Sequence, residues 1–151
     1  MKKIIKIILI ILCMALIFTF SSDNATESTE KSDGLIVKSC EFVIGRKLSE
    51  YEKEKYINKY VFLVRKGAHF TIYFILGLLV MSYLKEIYLL NNKGLLIAFI
   101  ICFLYACSDE VHQYFVPGRS CEFRDVLIDS MGGLLGSNIY YYLNRLRRRL
   151  R

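Results

Sequence analysis

The chain has 151 residues, 54% of them hydrophobic, and a mean hydropathy of +0.35. These values leave room for one domain and argue against an ordinary soluble protein or a disordered chain. The formal net charge is +7, and the basic residues gather at the two ends of the chain: Lys2, Lys3, Lys6, Arg145, Arg147, Arg148, Arg149 and Arg151. Basic flanks outside apolar segments are typical of membrane proteins, whereas a nucleic-acid-binding arm is the competing interpretation of the arginine tail. We predict membrane lipids as partners and no nucleic acid.

Four apolar segments follow one another, at about residues 4–20, 61–84, 94–115 and 126–143. A helix needs about 20 residues to cross a bilayer, and the third segment reaches that length only if it continues to Phe115. We therefore predict an all-α integral membrane protein with about four transmembrane helices. Residues 1–20 are expected to form the first helix, and residues 61–151 a core of three helices that ends in a basic cytoplasmic tail.

The segment between the first two apolar stretches, residues 21–60, is predicted to be an extracellular loop with amphipathic helices. Residues 35–44 are apolar enough for a short helix on the membrane surface. Residues 23–34 are rich in Ser, Thr, Asp and Glu, which predicts a flexible linker. Ser49 and Glu52 form a capping-box pattern that starts a helix, and this helix is expected to run directly into the second apolar segment.

The basic ends of the chain also predict its topology. Both termini are expected in the cytoplasm, so the number of crossings is even and the turn between Lys85 and Lys93 is cytoplasmic as well. The first segment could be a signal peptide, but its apolar run is longer than usual and no Ala-x-Ala cleavage site follows. An uncleaved helix is favoured. This topology makes the protein a multi-pass protein of the cell membrane, with its acidic loop outside.

Three separate segments then bring polar side chains to the outer side of the membrane. Asp109, His112 and Gln113 share one helical face, whereas Glu110 lies off that face and is expected to point to solvent or headgroups. Ionisable groups at membrane depth are costly, so they indicate either a functional site or structural ion pairs, and both interpretations stay open. The residues predicted to bind a ligand are Arg65, Lys66, His69, Asp109, Glu110, His112, Gln113, Arg119, Asp125 and Asp129.

Glycines in the last segment predict how the helices pack. Gly132 and Gly136 form a Gly-x-x-x-Gly pair, which allows a neighbouring backbone to approach closely. Asp129 falls on nearly the same face and is therefore expected to point towards protein instead of lipid. Gly77 is a candidate for a second close approach, on the second helix of the bundle.

These residues resemble the VanZ-like membrane proteins. The matching blocks are Arg65-Lys66-Gly67-Ala68-His69-Phe70 with Tyr73, the run from Asp109 to Arg119, and Asp125-Val126 with Asp129 and the glycines, while Ser21-Ser22 is similar to a serine motif of that family. The resemblance spans essentially the whole chain. It implies a small multi-helix membrane protein with a cell-envelope role linked to tolerance of glycopeptide or lipoglycopeptide antibiotics such as teicoplanin. It implies no particular reaction.

Two hypotheses for the function follow. In the favoured one, the outer cluster binds an anionic, amphipathic ligand, such as a lipid-linked wall precursor or a lipoglycopeptide. In the other, the protein is a membrane-embedded hydrolase or transferase that acts on a lipid or wall-precursor phosphate, with a histidine as general base oriented by an aspartate. The candidates for this chemistry are His69, Asp109, His112 and Asp129.

The sequence predicts no cofactor. His69, Asp109, His112 and Asp129 include enough nitrogen and oxygen donors for zinc, but no His-Glu-x-x-His pair and no dense cysteine or histidine spacing is present. No metal is therefore predicted. The sequence leaves open the oligomeric state and whether Cys40 and Cys121, both expected outside, form a disulfide.

Overall fold

The structure is a computed structural model, and it describes residues 2–150. Within that range the chain forms five helices and no strand. The helices are α1 (Lys2–Ser22), α2 (Ala25–Ile44), α3 (Glu50–Glu86), α4 (Asn92–Tyr114) and α5 (Phe123–Arg149). The predicted all-α fold is therefore confirmed. α3 and α5 pack together most extensively, α1 and α4 complete the bundle around them, and α2 lies against α3.

Three of these helices, α1, α3 and α4, are long and apolar enough to cross a membrane. The sequence analysis predicted about four such helices, so the number of clear spans is smaller than expected. The fourth predicted segment does form a helix, α5, but polar residues including Asp125, Asp129, Ser137 and Asn138 dilute its apolar surface. Asp129 and Ser137 are buried inside the bundle, so much of this polarity faces other helices.

α3 is the longest element, with 37 residues. At 1.5 Å per residue it measures about 55 Å, well beyond the ~30 Å of a bilayer core. Its start is the predicted capping box, in which the Ser49 side chain accepts from the Glu52 backbone N–H and the Glu52 carboxylate accepts from the Ser49 backbone N–H. The predicted continuous helix is confirmed, and it carries Arg65 to His69 in its middle.

α2 differs from the expectation. The predicted flexible linker of residues 23–34 is wrong, because from Ala25 these residues form the first half of α2. The Asn24 side chain accepts a hydrogen bond from the Glu27 backbone N–H at 2.8 Å, which caps a helix whose polar composition resembles a linker. The helix ends at Gly45, whose positive φ of 76° suits a left-handed C-cap.

Close backbone contact joins α3 to α5. The glycine spacing predicted a close approach to α5, and the structure identifies α3 as the neighbouring helix. An added Cβ at Gly132 would overlap the Phe70 carbonyl oxygen, and one at Gly136 would overlap the Phe74 carbonyl oxygen. Gly77 lies against the Gly133 carbonyl in the same way. The Ser137 hydroxyl donates to the carbonyl oxygens of Gly77, at 3.2 Å, and Gly133, at 2.8 Å. Helices with bare backbone surfaces pack this closely without side-chain obstruction.

The chain runs alternately up and down, which sorts its polar residues between the two ends of the bundle. At one end the Lys6 ammonium lies 2.6 Å from the Glu86 carboxylate and so joins the start of α1 to the end of α3. At the same end the Lys85 ammonium donates to the Asn144 side-chain oxygen at 2.8 Å. The opposite end holds the end of α1, the middle of α3, the end of α4 and the start of α5.

Two glycines of α3 test the packing argument. Gly77→Ala should destabilise the protein by about 1–3 kcal/mol or prevent folding, because its methyl group meets the Gly133 backbone. Gly67→Ala is the matched control, since nothing lies within 4 Å of an added Cβ there. Alanine in that exposed helical position should stabilise by up to about 1 kcal/mol. Thermal unfolding in detergent measures both variants, and equal stability of the two would contradict the close contact.

Candidate functional site

A polar cavity of about 310 Å³ opens where α3, α5 and the turn after α4 meet. Eight of the ten residues predicted to bind a ligand line it: Arg65, Lys66, His69, Glu110, Gln113, Arg119, Asp125 and Asp129. The structure therefore brings the predicted segments together at one end of the bundle. The function of these residues in ligand binding stays a prediction.

Two contacts join α3 to α5 across the cavity. The Lys66 ammonium forms an ion pair with the Asp125 carboxylate, and both side chains are largely shielded from solvent. One turn further along, His69 Nδ1 lies 3.6 Å from Asp129 Oδ2. That distance is too long for a hydrogen bond. A spacing of three residues on α3 and of four residues on α5 explains the two successive pairs.

A chain of hydrogen bonds runs along the other wall. Gln113 Nε2 donates to Asp109 Oδ2 at 3.0 Å, and Gln113 Oε1 accepts from Arg119 Nη1 at 3.0 Å. Arg119 also donates to the backbone carbonyls of Asp23, at 2.9 Å, and Phe20, at 3.3 Å. Burial lowers the pKa of the Arg119 guanidinium, and the charge of Arg65 nearby lowers it further. Arg119 thus ties the turn after α4 to the end of α1.

The expectation for Glu110 is wrong. Its side chain does not face solvent or headgroups, because the residue is only 1% exposed. Glu110 Oε2 accepts a hydrogen bond from the Glu122 backbone N–H at 2.9 Å. The turn after α4 folds back over the helix, and Glu110 holds it immediately before α5 begins. A buried carboxylate with a backbone donor of this kind has a clear structural role.

His112 does not line the cavity. Its Nε2 lies 3.0 Å from the Ser22 hydroxyl, and its ring stacks on Phe18 with the ring centroids 4.2 Å apart. Although His112 is one turn from Asp109 on α4, its ring packs against α1. Of the two histidines named as candidates for the same chemistry, the structure brings only His69 close to both Asp109 and Asp129.

The inner group consists of His69, Asp109 and Asp129. One coordinating atom from each lies within 4.8 Å of the other two. Asp109 is 3% exposed and Asp129 is 1% exposed. Among the described residues, neither oxygen of Asp129 has a hydrogen-bond partner, and Asp109 Oδ1 and the Tyr73 hydroxyl lack one too. These buried, unpaired polar atoms are costly to maintain for packing alone.

A second cavity adjoins the first and has the opposite character. It measures about 470 Å³, lies between α1, α2 and α3, and is mostly apolar. Its apolar walls are formed by Ile17, Phe20, Leu35, Val64, Ala68 and Ile72. Arg65, His69 and Arg119 line both cavities. The apolar groove therefore ends at the same cations that border the polar cavity.

Comparison with known protein families identifies the family of this chain. The sequence model of the VanZ/LLP1 family matches residues 6–144, nearly the whole chain. The chain belongs to the VanZ/LLP1 family. This family includes VanZ-like proteins associated with teicoplanin resistance. No curated protein and no solved structure is similar enough to this chain to count as a match.

Sequence analysis of this VanZ/LLP1 member missed several partners in the site. The carbonyls of Phe20 and Asp23 bind Arg119, and backbone acceptors carry no sequence signal. Ser21 is fully buried, with its hydroxyl 3.5 Å from Gln113 Nε2, and the Ser21-Ser22 motif was its only signal. Cys40 and Cys121, whose pairing the sequence left open, are both free cysteines in the structure.

Two arginines, Arg119 and Arg124, allow the energy of a partly buried structural contact to be compared with that of a surface ion pair. Arg119→Ala should lower the free energy of unfolding by roughly 2 kcal/mol or more, because it leaves Gln113 and two carbonyls without a charged donor. Arg124→Ala should cost about 1 kcal/mol or less, because Arg124 pairs with Glu122 on the exposed surface. Thermal unfolding in detergent compares them. Equal losses would show that the Arg119 contacts contribute nothing beyond a surface ion pair.

Proposed function

We propose that this VanZ/LLP1 member binds an anionic, amphipathic molecule at the outer leaflet of the cell membrane and thereby contributes to tolerance of lipoglycopeptide antibiotics such as teicoplanin. The ligand carries a phosphate or carboxylate head and a long apolar chain, as in a lipid-linked wall precursor or the lipoglycopeptide itself. The observation that carries the proposal is the position of Arg65 and Arg119, where the polar cavity meets the apolar groove.

The charges at this border favour an anion. Within residues 2–150, Arg65 forms no hydrogen bond or ion pair, and Arg119 contacts only an amide and two carbonyl oxygens. Lys66, by contrast, is already neutralised by Asp125. Two guanidinium groups without a carboxylate partner suit a phosphate or carboxylate, which their planar donor geometry binds in a bidentate manner.

The groove supplies the apolar half of the ligand site. Its walls come from α1, α2 and α3, and Arg65, His69 and Arg119 line it where it meets the polar cavity. The other polar residues of its lining are Asp23, Ser28, Lys31 and Ser32, of which Asp23 and Lys31 form an ion pair with each other. An acyl or polyprenyl chain laid against Ile17, Leu35 and Ile72 would bury apolar surface at about 25 cal/mol per Å². Apolar walls with a few charged groups at one end are the usual features of a site for an amphipathic molecule.

Hydrolysis or group transfer is the second candidate, and one observation favours it. His69 lines both cavities with Asp129 behind its Nδ1 at 3.6 Å, an arrangement in which a histidine can act as a base on a bound molecule while an aspartate orients it. His112 does not share this role, since it lies against Ser22 and Phe18. At 3.6 Å the aspartate does not hydrogen-bond the imidazole, so the histidine is not held as a base in this structure, and binding remains the primary proposal.

The proposed site requires the cavity end of the bundle to face outwards. We infer that α5 crosses the membrane with α1, α3 and α4, which places both basic termini in the cytoplasm and the cavity outside. The arginines at the end of α5 oppose translocation, which supports this topology. In a cysteine-free background, a cysteine at position 30 or 120 should react with an impermeant maleimide added to intact cells. Labelling that requires permeabilised cells would overturn the outward orientation.

Arg65 provides the direct test of ligand binding. Arg65→Gln should weaken binding of a polyprenyl phosphate by about tenfold or more, since a charge-assisted hydrogen bond contributes roughly 1.5–3 kcal/mol. Its thermal stability should change by no more than about 0.5 kcal/mol, because Arg65 has no partner in the described structure. Lys59→Gln is the matched control, since Lys59 is an exposed cation of α3 that lines neither cavity.

Microscale thermophoresis measures binding to the protein in neutral detergent. Separate titrations with polyprenyl phosphate, phosphatidylglycerol and teicoplanin identify which polar head and which apolar chain the ligand carries. The uncharged polyprenol serves as a negative control. The same variants should also differ in the tolerance that they give a teicoplanin-susceptible host. Lys59→Gln should retain tolerance, and Arg65→Gln should lose it. Wild-type affinity in Arg65→Gln for all three molecules would contradict the proposed role of this cation.

A further inference from the structure

The three side chains of the inner group form a compact donor set below the polar cavity. His69 comes from α3, Asp109 from α4 and Asp129 from α5, so three helices each contribute one side chain. Their nearest coordinating atoms all lie within 4.8 Å of one another. Both oxygens of Asp129 and one of Asp109 are buried without a hydrogen-bond partner in the described part of the chain.

A bound cation would compensate the two carboxylates of this group, Asp109 and Asp129. Two carboxylates lie together in the bundle interior, where an uncompensated negative charge is expensive. Lys66 pairs with Asp125, and neither Arg65 nor Arg119 forms an ion pair with either carboxylate. No lysine or arginine of the described structure therefore pairs with Asp109 or Asp129.

We propose that His69, Asp109 and Asp129 bind one divalent transition-metal ion, with zinc as the best-fitting ion. One imidazole nitrogen and two carboxylate oxygens are a donor set typical of zinc and its neighbours, whereas magnesium and calcium prefer oxygen donors alone. Tetrahedral ligands at roughly 2.1 Å from the ion stand about 3.4 Å apart, so the three groups close in by roughly 1.4 Å at most.

The polar cavity gives the ion both an entry path and an open coordination position. His69 and Asp129 line the cavity, and Asp109 is joined to it through Gln113. Three protein ligands leave a fourth position, which takes a water molecule or one oxygen of an anionic ligand. The metal site uses the same cavity as the proposed function but does not require the amphipathic ligand, so the two proposals can fail separately.

The test uses the full-length protein in detergent, stripped of metal with a chelator. Titration with zinc should give about one bound ion per chain, measured by elemental analysis and calorimetry. Cobalt(II) serves as the spectroscopic probe, because it replaces zinc and its visible spectrum reports the donor atoms. The spectrum should lack thiolate charge-transfer bands, which would appear if any of the five cysteines bound the ion.

The chain's two histidines supply a matched pair of variants. His69→Gln and Asp129→Asn should each weaken zinc binding by at least about tenfold, whereas His112→Gln should bind like the wild type. Thermal unfolding with and without zinc shows which variants are folded, and added zinc should stabilise only those that retain the site. No stoichiometric binding by the wild type, as expected if the two aspartates share a proton instead, would overturn the proposal. Equal loss in His69→Gln and His112→Gln, or a thiolate spectrum, would do so as well.

Discussion

The cost of burying charge in an apolar bundle governs this structure. Asp109, Glu110 and Asp129 are each no more than 3% exposed, in helices that otherwise present apolar surface. Glu110 and Asp109 have partners that offset this cost. Glu110 draws the turn after α4 back to present a backbone N–H, and Asp109 recruits Gln113, which in turn positions Arg119. The shape of the cavity is the result of these compensations, and the unpaired oxygens of Asp129 mark the place where compensation within the protein stops.

The sequence was sufficient to predict most of the bundle. The start of α3 follows from a local signal, the Ser49 capping box, and the glycine spacing predicts which face of α5 a neighbouring backbone meets. α2 was misjudged because its Ser, Thr and Glu residues are as common in linkers as in exposed helices. The fourth predicted span is not clear from length and composition, because α5 is buried by its neighbours and carries polar residues on its inner face.

The sequence was sufficient to predict most residues of the candidate site, but not which side chains contact one another there. Helical spacing places Asp109, His112 and Gln113 on one side of α4, yet it cannot say which neighbouring helix each side chain meets. Phe18 of α1 stacks on His112, a tertiary contact without a local signal. The environment of Glu110 likewise depends on a turn whose path no periodicity describes. The division into a polar cavity and an apolar groove, meeting at Arg65 and Arg119, emerges only when α1 and α2 are in place.

The glycine contact between α3 and α5 has a consequence for permeation. Directly below Asp129, Gly132 and Gly133 press against the backbone of α3, and Gly133 also meets the Cys102 side chain of α4. Between α3 and α5 the obstruction is backbone against backbone, so rotation of a side chain could not open a path between these two helices at this level. Any opening there would require α3 and α5 to move apart.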